Sequence, residues 1–301
     1  MKISVLINTH NRAAALRRCL DSVMGQDYPK SLVEVLVLDD AGADETPALL
    51  AEKAAEFRSA GFRDFKSFRN ETCRNIVYGR YFLQQASDRE SELLVYMDDD
   101  GVLELGVLSG LAAFFKNTPA AGIAAPAVYY LCEPERRAHG AFFMHPWTGR
   151  YTETLPASAT ECDWVNATCL AARRAAVEPH DDSRLSFYIS HEEADMCLQV
   201  ENKGWKVFYL PGLRVLHDIK PGFAPKRDRL YYLYRNKFFV ISRNFPPLRR
   251  FVALAVALLL GLPRYLAESV SFHRGFNRTE IGVILRAVFD GLTGRGGRWP
   301  G

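Results

Sequence analysis

Leu93-Leu94-Val95-Tyr96-Met97-Asp98-Asp99-Asp100-Gly101 is the stretch on which the reading of this 301-residue chain turns. Five consecutive apolar residues, too few for an ordinary helix, describe a strand buried on both faces. The run stops at three carboxylates. Two other segments repeat the pattern: Lys2–Ile7 runs into Asn8-Thr9-His10-Asn11-Arg12, and Val33–Leu38 into Asp39-Asp40-Ala41-Gly42. Between them Ala14, Leu16, Leu20 and Val23 recur at helical spacing, and residues 45–60 are rich in Ala, Leu and Glu. Strands alternating with helices predict an α/β fold whose mainly parallel sheet is covered on both faces. The carboxyl ends of parallel strands share one edge, where ligands bind. The turn 8–12, the pair Asp39/Asp40 and the triplet Asp98–Asp100 are therefore expected to converge on one crevice.

Three adjacent carboxylates repel one another, and such a cluster at the end of a buried strand calls for a cation. In extended chain, residues i and i+2 point the same way, so Asp98 and Asp100 can share one Mg²⁺ or Mn²⁺, ions that take oxygen ligands and substrate phosphates. Asp99 is expected to point elsewhere, toward a sugar hydroxyl. Asp39-Asp40 can be a plain turn after a strand, but on the same sheet edge one of its carboxylates could accept the N–H of a pyrimidine base. A third acidic cluster, His191-Glu192-Glu193-Ala194-Asp195, opens an apolar-periodic segment, where the helix dipole alone already favours acidic residues. His217 follows Pro211–Leu216 and, as a neutral imidazole, can ligate a divalent metal. Histidines 10, 139, 145, 180 and 273 show no partner pattern. There is no GxGxxG, GxxxxGK[ST], HExxH or GxSxG, so dinucleotide, P-loop, zincin and α/β-hydrolase readings lack their motifs.

The middle of the chain is less regular. Ala121–Tyr130 reads as a strand, Ala171–Val177 as a short helix and Ser190–Gly204 as a helix closed by glycine. A strand Val207–Leu210 and a turn at Pro211-Gly212 follow. The six cysteines contain no CxxC pair, and no apolar signal segment precedes them; reduced thiols and a cytoplasmic location are expected.

The net charge of +3 conceals two different surfaces. Residues 1–218 hold 23 Lys and Arg against 31 Asp and Glu, whereas residues 219–301 hold 15 against 4. An acidic body with a basic tail predicts that the tail meets something anionic, lipid headgroups or nucleic acid. The tail also carries a 12-residue apolar run, Phe251–Leu262, flanked by Arg249, Arg250 and Arg264. A bilayer span needs about 20 apolar residues. Flanking arginines and nearby aromatics favour a helix lying in a membrane interface over a core helix of a second subdomain.

In order and spacing, ISVLINTHNRAAALRRCLDSVMGQDYP, VEVLVLDDAGADET and LLVYMDDDGVLE resemble the nucleotide-binding half of family 2 glycosyltransferases with the GT-A fold. FYISHEEADMCLQVENKGWKVFYLPGLRVLH resembles their acceptor half. The resemblance covers residues 3–217 and implies an inverting, metal-dependent enzyme with a catalytic unit over 1–218, nucleotide-sugar binding up to about residue 110. It implies Asp98 and Asp100 as the outer members of a DXD motif, His217 as a third ligand to Mn²⁺ or Mg²⁺, and Asp40, with Asp39 beside it, as the carboxylate reading uracil or thymine. Thr9, Asn11 and Arg12 fall in the loop on the nucleoside, and Arg74 or Arg80 on the pyrophosphate contact. Glu193 falls on the catalytic base, Glu192 competing, while Trp164 and Asp195 lie on the acceptor side, Asp195 rather capping or orienting the helix. The implied partners are a UDP- or dTDP-sugar, rhamnose and galactofuranose donors first, and a lipid-linked or polysaccharide acceptor of the cell envelope. The closing AVFDGLTGRGG resembles the end of members whose basic, apolar helices dock on the inner membrane leaflet, so residues 219–301 are expected to attach peripherally, with no nucleic-acid partner. Two other readings compete. A nucleotidyltransferase would show a glycine-rich, lysine-containing loop that NTHNRAAALRR lacks, and a non-enzymatic membrane or nucleic-acid binding module leaves three acidic strand ends unexplained.

Overall fold

In a computed structural model of the protein, described over residues 1–179, 181–222, 227–264, 266–267 and 278–299, one large sheet carries the chain. His180 and His273 lie outside these residues. Strands β1 (Ile3–Thr9), β2 (Val33–Asp39), β3 (Asp64–Arg69) and β4 (Leu93–Asp98) alternate with helices α1 (Ala13–Met24), α2 (Thr46–Ser59) and α3 (Asn75–Ala86). Their order is β4-β1-β2-β3, all parallel. After β5 (Gly101–Leu103) and α4 (Val107–Asn117) come β6 (Ala121–Tyr130), β7 (Glu133–His139), β8 (Ala141–Met144), β9 (Tyr151–Thr154), β10 (Thr160–Glu161), β11 (Trp164–Val165) and β12 (Cys169–Arg173). The chain continues through α5 (Arg174–Val177), α6 (Glu192–Asn202) and β13 (Lys206–His217), ending in α7 (Arg227–Asn244), α8 (Pro247–Val256) and α9 (Arg278–Leu292).

Side chains alternate across a strand, and β1, β2 and β4 are apolar on both faces. Ile3, Val5, Ile7, Val35, Val37, Val95 and Met97 pack beneath α1, α2 and α4, while Leu6, Leu36, Leu38, Leu94 and Tyr96 face the core shared with α3 and α6. Helix α1 buries Leu16, Cys19, Leu20 and Val23, one face of a 3.6-residue period. Register aligns the strand ends: Asn8 pairs with Asp98, and Thr9 with Asp39.

Two expectations change. Residues 169–173 form a strand, antiparallel between β4 and β6, and only 174–177 are helical; the small, fully buried Cys169–Ala172 fit between the two larger strands. Pro211-Gly212 does not end β13, whose pairing with β6 jumps from Leu210 to Arg214 through a bulge and runs on to His217. Phe251–Leu262 continues α8 through a π-helical stretch at Ala257–Gly261 and divides its surface. Ala253 and Ala257 pack on Phe238, Ile241 and Phe245 of the α7 segment, while Phe251, Leu259 and Leu260 are 73%, 73% and 64% exposed. Among the described residues no helix is long and apolar enough to cross a membrane. All six cysteines are free.

Candidate active site

The expected convergence is present. Asp98 ends β4, Asp100 closes the turn into β5, and His217 ends β13, which pairs with β5 so that His217 lies opposite Gly101. One ligand atom from each of Asp98, Asp100 and His217 lies within 4.8 Å of the others. His217 Nε2 is 3.2 Å from Asp100 Oδ1, and its Nδ1 is 3.1 Å from the hydroxyl of Thr168, which itself donates to Asn166 Oδ1. Such an outer partner fixes a metal-binding imidazole. Two hard oxygens and one imidazole nitrogen are a donor set that suits Mn²⁺ or Mg²⁺. Burial alone would lower the His217 pKa, but the hydrogen bond and field of Asp100, with Asp98 behind, raise it. Thr168 and Asn166 had no signal in the sequence, lying some fifty residues from the histidine they orient.

Asp99 takes no outward position. Thr9 Oγ1 donates to its Oδ2 at 2.6 Å and Arg12 Nη1 to its Oδ1 at 3.0 Å, in a nearly closed environment. Burial pushes its pKa up to about 6 against the pull of Thr9 and Arg12. The expected sugar contact is thus corrected to an internal tie that holds the turn after β1 against the acidic triplet. Arg12 also reaches Asp100 Oδ2 at 2.8 Å. Asn11, left-handed at φ 54°, accepts the amide of Ala43 on Oδ1 and links the turns after β1 and β2.

The Asp39/Asp40 pair divides its work. Asp39 Oδ1 accepts from the Gly42 amide at 2.8 Å and Oδ2 lies 3.1 Å from Arg69; a Cβ at position 42 would fall 2.8 Å from that same Oδ1, so only glycine closes this turn. Asp40 accepts from the backbone amides of Arg74 and Asn75, from Asn70 Nδ2 and from Cys73 Sγ. Burial would raise its pKa, but these donors outweigh it and hold the carboxyl below its usual range. Asp40 thereby anchors the start of α3. Arg74, at the exposed rim, stacks its guanidinium 3.5 Å from the Tyr78 ring.

Of the two competing arginines it is Arg80 that reaches the acidic centre. Its Nη2 is 2.9 Å from Asp98 Oδ1 and its Nη1 2.7 Å from Glu192 Oε1. One guanidinium therefore joins the metal-ligand cluster to the acidic end of α6. Glu192, Glu193 and Arg80 line a narrow cavity walled by Val77, Tyr96 and Met196. Burial in these apolar surroundings and the neighbouring Glu192 raise the Glu193 pKa above the ordinary glutamate range, with Arg80 opposing. A carboxylate so poised is a competent general base.

Two residues expected on the acceptor side are buried. Asp195 is wholly buried, bonded to Arg184, Gln199, Arg243 and Asn244, and ties α6 to α7. Trp164 is buried and stacked on Phe142 at 3.7 Å; the ring that faces outward is Tyr151, packed edge-on to Trp164 at 5.5 Å and 6.4 Å from the His191 ring. Tyr151 belongs to the β8–β9 hairpin, which the sequence reading did not foresee because exposed Glu and Thr carry no apolar alternation there.

The chain is similar to known proteins. Residues 4–179 match the family model described as glycosyl transferase family 2. A poly(ribitol-phosphate) β-N-acetylglucosaminyltransferase of Staphylococcus aureus, TarS, is 29% identical over 115 residues, which are 38% of this chain and 19% of that relative's length. A Methanococcus voltae dolichyl N-acetyl-α-D-glucosaminyl phosphate 3-β-D-2,3-diacetamido-2,3-dideoxy-β-D-glucuronosyltransferase is 30% identical over 74 residues, 25% of this chain and 22% of the relative. Residues 1–349 of TarS in complex with UDP-GlcNAc superpose with a TM-score of 0.63 at 18% identity, covering 98% of this chain and 82% of that one. A Pyrobaculum calidifontis mannosyltransferase in complex with GDP-Man and Mn²⁺ superposes with a TM-score of 0.58 at 14% identity, covering 97% and 87%. These structures share the GT-A architecture, and with more than half its length matched by the family model the chain belongs to glycosyltransferase family 2.

Proposed function

We propose that the protein is an inverting glycosyltransferase that moves a sugar from a UDP- or dTDP-sugar to a hydroxyl of a lipid-linked or polysaccharide acceptor in cell-envelope glycan synthesis. The observation that carries this reading is the single cluster in which Arg80 joins Asp98, beside Asp100 and His217, to Glu192 and Glu193. Asp98, Asp100 and His217 would hold Mn²⁺ or Mg²⁺, whose chemistry there is charge neutralisation on a leaving diphosphate. Glu193 removes the proton of the acceptor hydroxyl, which attacks the anomeric carbon from the face opposite the nucleotide, so one displacement inverts the centre. Glu192 and Arg80 hold Glu193 and Asp98 in register. Arg12 and Thr9 brace the nucleotide-side turn through Asp99, and the outward ring of Tyr151 offers a surface for the acceptor sugar.

The relatives named above act on poly(ribitol-phosphate) and on a dolichyl phosphate sugar, which supports a polymer or lipid-linked acceptor here. In this reading residues 1–218 are the catalytic unit, and residues 219–301 attach peripherally to the cytoplasmic face of an anionic membrane. The test is a panel of UDP- and dTDP-sugars, UDP-GlcNAc included, scored by thermal shift and nucleotide release with and without Mn²⁺. A true donor at 100 times its dissociation constant adds about 2.7 kcal/mol of stability. Asp98→Ala and Asp100→Ala should abolish metal-dependent release. Undiminished release in EDTA would remove the metal from the scheme, and a panel without a single binder would remove the function.

A further inference from the structure

The segment that delivers Glu192 and Glu193 is strained. Tyr188, Ser190 and His191 all have left-handed backbone, with φ of 67°, 69° and 65°. Tyr188, at ψ −56°, is the centre of a γ-turn of the rarer hand, closed by the Ile189 amide donating to the Phe187 carbonyl at 2.8 Å. None of the three is glycine, and such conformations persist only where the surroundings over-determine them.

Here the surroundings are two adjacent side chains of α7. Arg235 is 0% exposed and its charge is spent on backbone: Nη2 donates to the carbonyls of Ser186 and Phe187 at 2.9 and 2.7 Å, and Nη1 to that of Gly297 at 2.7 Å. Its Nε donates to Asn236 Oδ1 at 2.9 Å, which leaves the Asn236 amide nitrogen facing the carbonyls of Phe187, Ile189 and Ser190 at 3.1, 2.7 and 2.7 Å. Four of the five carbonyls from Ser186 to Ser190 are thus held by two neighbouring side chains. The C-terminal segment closes the clamp: the Gly297 amide donates to the Ser186 carbonyl at 2.7 Å, and a Cβ on Gly296 would meet Ser186 Cβ at 2.5 Å. A buried guanidinium satisfied by carbonyls is a costly way to pack two elements, and apolar residues of similar volume often pack as well.

We propose that Arg235 and Asn236 are positioning residues: from α7, with the Gly296-Gly297 segment, they hold residues 186–190 in the strained path that aims Glu192 and Glu193 at the metal cluster. The C-terminal region is then part of the catalytic apparatus as well as a surface for docking. This rests on the assignment of the base to the Glu192/Glu193 pair.

The experiment compares the full chain with Asn236→Ala and with a variant lacking residues 296–301, using amide hydrogen exchange, titration with UDP and Mn²⁺, and steady-state nucleotide release from the donor found in the panel. Exchange at the Ile189 and Asp195 amides should accelerate at least about tenfold in both variants while α1 amides stay unchanged. Release should lose about 100-fold in kcat, with donor KM and UDP affinity within twofold, as expected when a reacting group is misplaced rather than a binding site lost. Unchanged exchange, wild-type kcat, or a KM that rises in step with the loss of kcat would each overturn the proposal. If Asn236→Ala does not fold, the 296–301 deletion decides. A wild-type chain that releases nucleotide from no donor would refute the proposed function, while the exchange data would still judge the clamp.

Discussion

Glu193 has the surroundings of a residue kept waiting for a proton. Its raised pKa comes first from burial and then from Glu192, so the basic form gains population as pH rises past a value above the ordinary glutamate range. Transfer should therefore climb with pH along an acid limb lying above pH 4.5. Glu192→Gln removes the like charge and should shift that limb to lower pH in kcat/KM profiles, whereas a limb that stays put would mean the two carboxylates do not sense each other. Glu193→Gln should cost roughly 10²–10⁴-fold in transfer with nucleotide affinity kept; near-normal transfer would move the base to Glu192. The other acidic residues show how little residue type decides. Asp40, Asp99 and Asp195 are all buried, and each spends its oxygens on protein donors: the start of α3, Thr9 and Arg12, and the α6–α7 contact.

Helix α3 is the element that sets the distance between the two halves of the site, because Arg80 projects from it to both Asp98 and Glu192. It lies so close to β1 that a Cβ at Gly79 would fall 2.1 Å from Asn8 Oδ1 and 2.9 Å from Asn8 Cβ, so turning the amide does not clear the space. Gly79→Ala should push α3 outward. The expected cost is about 1–3 kcal/mol of stability in urea unfolding, together with a fall in kcat as Arg80 loses one of its carboxylates. A variant unchanged in both would show that the helix has slack and that Arg80 does not depend on this contact. This closeness was not legible: apolar spacing located α1 and composition α2, but residues 61–92 were read as no element, and nothing in residues 75–86 announces which glycine touches a strand. The β12 segment shows the converse. Ala171 and Ala172 favour a helix locally, and pairing with β4 and β6 overrides that preference.

Across the whole molecule, strain and exposed apolar surface are unevenly spread. The six non-glycine residues with left-handed backbone among the described residues are Asn11, Ala41, Asn75, Tyr188, Ser190 and His191, in turns or at helix starts bordering the candidate active site. Exposed large apolar side chains gather instead at the C-terminal helices, where Leu248, Phe251, Leu259, Leu260, Leu285, Phe289 and Leu292 stand in a region of 15 basic and 4 acidic residues. A surface of this kind fits an anionic bilayer. Replacing Phe251, Leu259 and Leu260 together by Ser should weaken sedimentation with anionic vesicles at least about tenfold while leaving Tm unchanged, because these side chains leave water only on binding. Vesicle binding that survives the triple replacement would point to electrostatics alone, or to a different face.

What the sequence determined by itself is the centre of the sheet and its polarity: mostly apolar runs of five or six residues must be buried strands, and the polar and acidic residues that end them must share an edge. The tertiary structure alone decided which of those carboxylates remain free to meet a ligand. That depends on donors brought from far along the chain, such as Thr9 to Asp99 and Arg243 to Asp195, and long-range pairing of polar groups leaves no periodicity to read.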